Sequence, residues 1–84
     1  MGPWLNLAQT LNREGDFTLA DRAYATAFET QPENPHILWD RAQNLQQAGS
    51  MQEAKQLLLQ LADGEWKPEY RWMKDQARWQ AGDK

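Results

Sequence analysis

The chain has 84 residues, nine basic and twelve acidic, for a net charge of −3, and no cysteine. Scattered charges of both signs with an acidic excess argue against binding nucleic acid by neutralising phosphates, and without thiols there are no disulfides or thiolate metal sites. Apolar runs such as Leu57-Leu58-Leu59 fall far short of the ~18 residues that suggest a membrane helix, and no basic-then-apolar leader opens the chain.

Met1-Gly2-Pro3 leads into a helical pattern at once, as expected of a piece cut from a longer protein. Pro3 suits a first helical turn, where its missing N–H costs nothing. Trp4, Leu7, Ala8 and Leu11 recur at helical spacing, and Gly15 can take the left-handed conformation that ends a helix. Asp16 is the expected N-cap of a second helix carrying Ala20, Ala23, Tyr24, Ala27 and Phe28. Pro32 and Pro35 bracket a stop and a restart, with Asn34 as cap. Leu38, Ala42 and Leu45 mark the third helix, which Ala48-Gly49 ends. Ser50-Met51-Gln52-Glu53 has the spacing of a capping box, and Ala54, Leu57, Leu58 and Leu61 form the stripe of the fourth helix. Pro68 opens a fifth, on which Trp72 and Trp79 lie seven apart and are expected to pack on the fourth, with Trp66 wedged beneath. The helices are expected at about 3–14, 17–30, 35–48, 51–63 and 69–81, with ends uncertain by ~2–4 residues.

A shift of 34 residues brings Gly15 onto Gly49, Ala8 onto Ala42, Leu11 onto Leu45 and Ala20 onto Ala54. The first unit reads Trp4-x2-Leu7-Ala8-x2-Leu11, then Ala20-x3-Tyr24-x2-Ala27, then Pro32. This resembles the tetratricopeptide repeat, whose signature is W-x2-L-G-x2-Y, A-x3-F and P. The second unit departs from it with Arg41 at an apolar slot and Trp66 at the proline slot; Gln76 stands where a third unit would want a small residue. Arg41 would need a carboxylate partner or a path to solvent.

The resemblance implies an all-α fold: two antiparallel helix-turn-helix repeats (about 2–34 and 35–68) and a C-terminal capping helix (about 69–81), in one domain over 1–84 forming a short right-handed solenoid. It also implies a concave face lined by the first helix of each unit. That face would carry Leu5, Asn6, Gln9, Asn12 and Arg13, then Trp39, Asp40, Gln43, Gln46 and Gln47, then Tyr70, Met73, Lys74 and Ala77. Its amides can both donate to and accept from a peptide backbone, and Trp and Tyr are frequent anchors. The alternative is a solvated polar face with no ligand. Chaperone-binding members of the family grip a C-terminal carboxylate with lysine, asparagine and arginine; the matching positions here are Leu5, Gln9, Asp40, Tyr70 and Lys74, of which only Lys74 keeps the required charge. No binding of such a tail is expected.

The expected role is a protein-interaction module or scaffold holding a peptide or helix of a partner, as a monomer or weak homodimer. The alternative is a structural end piece that packs on its own parent chain or self-associates. No catalysis, cofactor, metal, membrane or nucleic acid is expected: His36 is the single histidine, no phosphate loop or nucleophile motif occurs, and the carboxylates Glu14/Asp16 and Asp63/Glu65 belong to helix ends. Nothing in the sequence assigns a compartment.

Overall fold

A computed structural model describes residues 3–82, which run through α1 (Pro3–Arg13), α2 (Phe17–Thr30), α3 (Pro35–Gln47), α4 (Met51–Asp63), a 3₁₀ turn (Pro68–Tyr70) and α5 (Arg71–Gly82). The expected spans agree to within a residue or two, apart from the tighter turn on which the fifth helix opens.

The two hairpins, α1/α2 and α3/α4, turn by the same chemistry. Gly15 and Gly49 have φ of 85° and 89°, a region that a Cβ disfavours. In each, the N–H after the glycine reaches back to a leucine carbonyl: Asp16 to Leu11 at 2.9 Å, and Ser50 to Leu45 at 2.8 Å. The glycine N–H itself donates to Asn12 or to Gln46. This pair of bonds is the Schellman closure, which satisfies carbonyls that a helix end leaves open.

The caps divide. The Asp16 carboxylate accepts from Leu19 N–H at 3.4 Å, and the Asn34 side chain accepts from His36 N–H at 3.0 Å with Pro35 opening the helix, both as expected. The capping box at Ser50 does not form, for the Ser50 side chain makes no cap bond. The turn accounts for the Glu53 half of the box: the Ser50 N–H that Glu53 would satisfy is already taken by Leu45. At the end of α4, the Trp66 indole N–H donates to the Leu61 carbonyl at 2.8 Å, so Trp66 helps close this helix while packing against the core.

Small residues set the spacing within hairpins. Ala8 and Ala20 are fully buried in one cluster with Tyr24, Ala27 and Ile37; Ala42 is fully buried in a second with Leu38, Leu58 and Leu61. α3 joins the two units, giving Ile37 to the first cluster and Leu38 to the second. Each such aliphatic side chain, fully buried, contributes ~1.5–3 kcal/mol.

α5 corrects the expected packing. Trp72 is 53% exposed and Trp79 78% exposed. The residues against α4 are Met73, Ala77 and Ala81, all buried. They recur every four residues, and the two alanines let α5 approach closely, which a tryptophan stripe would prevent. Trp72 lies one residue, ~100° of helix, from Met73, and Trp79 lies two residues, ~200°, from both Ala77 and Ala81. Met73 and Ala77 therefore leave the proposed binding face and join the core.

Arg41 finds the partner that its position demands. Its Nε donates to Asp21 Oδ1 at 2.6 Å and its Nη2 to Asp21 Oδ2 at 3.3 Å, a two-point link between α3 and α2.

Candidate partner-binding face

α1, α3 and α5, the first helices of successive units, are stitched side by side by polar contacts. Gln9 on α1 donates to Asp40 on α3 at 3.5 Å, and Asn12 donates to Asn44 at 2.7 Å and to Gln47 at 3.3 Å. Between α3 and α5, Gln46 donates to Gln80 at 3.3 Å, and the rings of Trp39 and Trp72 meet edge to face with centroids 6.3 Å apart. Amides suit this seam because each can donate to one helix and accept from the next.

The residues expected on this front face fall into four groups. Gln9, Asp40, Asn12 and Gln47 are brought together across α1 and α3, while Trp39 is half-buried against the core and faces Trp72. Asn6 and Arg13 are exposed and make no side-chain hydrogen bond among the described residues. Gln43 is half-buried, with Nε2 buried and unpartnered among those residues. Tyr70 packs from the 3₁₀ turn against the second cluster, Leu5 packs against the first, and Lys74 is half-buried beside Trp66, Lys67 and Arg71.

Two residues of the face escaped the sequence reading. Trp72 replaces Met73 and Ala77 as the aromatic contribution of α5. Asn44 is fully buried and satisfied, its Nδ2 donating to the Phe17 carbonyl at 3.0 Å while its Oδ1 accepts from Asn12. Asn44 thus ties α1, the start of α2 and α3 together beneath the face. A signal for it existed: Ile37, Arg41 and Asn44 form a stripe at helical spacing aimed at the preceding unit.

The electrostatics centre on Asp40. Its carboxyl is held above the usual carboxylate range by burial, which the nearby His36 and hydrogen bonds from Gln9 and His36 partly offset. His36 Nδ1 lies 3.5 Å from Asp40 Oδ2, an ion pair only when the imidazole is protonated. The Tyr24 phenol is pushed up to about 12, first by burial and then by the charge of Asp40. Among the described residues no group of three or more potential metal ligands gathers, and no helix is long and apolar enough to cross a membrane.

Comparison with known proteins gives one finding: the family model for the tetratricopeptide repeat matches residues 11–81. No curated protein and no solved structure matches the chain.

Proposed function

The chain belongs to the tetratricopeptide-repeat family, and from that premise we propose that its front face holds a peptide or helix of a partner protein and that the chain catalyses nothing. Members of the family are generally protein-interaction modules and typically non-catalytic. One observation carries the reading for this chain. Trp72 is half exposed and edge-on to Trp39, beside a seam of amides that still offer hydrogen bonds. Exposed tryptophan next to polar donors and acceptors is the composition of an interaction anchor.

The test compares proteins captured by the wild type with those captured by Gln9→Ala/Trp72→Ala on the front face and by Gln56→Ala/Gln60→Ala on the exposed side of α4. All three are first shown to fold by circular dichroism. Loss of a captured protein with the first variant alone supports the reading. Equal capture by all three contradicts it.

A second reading, an end piece that packs on its parent chain or on another copy, is favoured by a different observation. Trp4, Leu7 and Leu19 stay 43%, 44% and 46% exposed, and with Leu11 they line an apolar groove of about 300 Å³ between α1 and α2. Sedimentation equilibrium of wild type and Leu7→Glu/Leu19→Glu separates the two. A dimer that the variant abolishes favours this reading; a monomer in both removes self-association.

A further inference from the structure

Two aspartates are held half-buried between helices, and the chain treats them differently. Asp21 is paired with a guanidinium at two points. Among the described residues Asp40 has only the side-chain amide of Gln9 and the imidazole of His36, each at 3.5 Å, the long limit of a hydrogen bond. No lysine or arginine among the described residues pairs with it. A carboxylate withdrawn from water and left without a cation is costly to keep. A cation beside the carboxylate would offset this cost.

Position adds to the argument. Asp40 faces Gln9 across the α1–α3 seam and sits one residue from Trp39, so it belongs to the face proposed above. Trp39 and Trp72 supply an apolar ledge on the α5 side, and Gln9 and Gln47 supply amides on the α1 side.

On the reading that the front face binds a partner, we propose that the partner is a basic segment: it seats a lysine or arginine side chain on the Asp40 carboxylate and covers Trp39 and Trp72 with an apolar neighbour. A guanidinium matches the two carboxylate oxygens with a fork of parallel bonds, and an ammonium can donate to either one. The same charge repels an acidic tail. At Asp40 the polarity is thus opposite to that of a carboxylate-gripping groove.

The experiment selects phage-displayed random dodecapeptides on the intact chain. A consensus peptide is then titrated calorimetrically against wild type, Asp40→Asn and Trp72→Ala, together with a copy of the peptide in which its conserved cation is replaced by norleucine. An acidic C-terminal peptide serves as the contrasting probe. The expected result is a lysine or arginine at one fixed position of the consensus. Its replacement weakens binding to wild type about tenfold or more but barely changes binding to Asp40→Asn, and the acidic peptide does not bind.

A consensus without a cation, or a cation whose loss matters equally in wild type and Asp40→Asn, overturns the basic-segment proposal while leaving the face intact, provided that Trp72→Ala still weakens binding. Micromolar binding of the acidic peptide also overturns it. Peptides indifferent to both variants, or no selected peptide at all, count against the face itself.

Discussion

Asn44→Ala is the sharpest perturbation of the scaffold under the binding face. Asn44 is fully buried, and its amide uses both ends, donating to Phe17 and accepting from Asn12. Truncation removes two hydrogen bonds, each worth ~0.5–1.5 kcal/mol, and leaves a small void. It also strips the Phe17 carbonyl of a partner. The Asn12 amide is half-buried and already reaches Gln47 at 3.3 Å, so its own loss is small. Together these give a cost of ~2–3 kcal/mol. For a chain of this size that lowers the melting temperature by ~8–24 °C. Asn12→Ala, which keeps the Phe17 bond but leaves the buried Asn44 Oδ1 without its donor, costs less, ~1–2 kcal/mol. Urea unfolding followed by circular dichroism and tryptophan fluorescence measures both, and the double variant completes a cycle. Because the two share a bond, their costs fall short of additive by ~0.5 kcal/mol or more. An Asn44→Ala cost no larger than that of Asn12→Ala, or strict additivity, refutes Asn44 as the tie among α1, α2 and α3.

Three further outcomes follow from the packing and the charges. Ala20→Leu forces bulk into the closed α1/α2 contact and costs ~1–3 kcal/mol; an unchanged melting curve contradicts the assigned register. Gly64→Ala would set a Cβ 2.5 Å from Trp66 Nε1, in an indole pinned to the Leu61 carbonyl. It destabilises by ~1–3 kcal/mol and shifts the Trp66 emission, and a variant as stable as wild type contradicts the Trp66 placement. Asp40→Asn acts through pH. Burial raises the Asp40 carboxyl above its ordinary 3.8, so folding disfavours the charged form relative to the unfolded chain. The stability that this gives is full below 3.8 and is lost as pH rises through the folded value. Asp40→Asn, which never ionises, therefore melts higher than wild type at pH 7, and the gain fades as pH falls below the ordinary carboxylate range. A gain of equal size at pH 7 and pH 3 counts against a charge origin.

Much of the architecture is legible in the sequence because it rests on local chemistry. Gly15 and Gly49 at one period, the caps Asp16 and Asn34, and the alanines 8, 20, 42 and 54 each state a turn, a start or a close contact without reference to distant residues. Reading fails where two local rules compete. In α5 the aromatic stripe Trp72/Trp79 and the small-residue stripe Met73/Ala77/Ala81 both have helical spacing. Hydrophobic payload favours the first, but close approach to α4 selects the second. Ser50 and Glu53 spell a cap whose target N–H the preceding turn consumes first. Nothing local assigns Asn44 its partners, for Phe17 and Asn12 lie on other helices. On the candidate face the amides were visible as a pattern; which of them meet across the seam, and that no lysine or arginine among the described residues pairs with Asp40, depends on how α1 and α3 lie against each other.

The most direct test of the front face is a map of amide and indole chemical shifts in the isotope-labelled chain, titrated with a peptide selected on it. The account predicts the largest changes at Gln9, Asp40 and Gln47 and at the indole N–H groups of Trp39 and Trp72, with α2 and α4 nearly silent. Changes centred instead on Gln56 and Leu59 of α4, or on Trp4 and Leu19 at the α1/α2 groove, would contradict it.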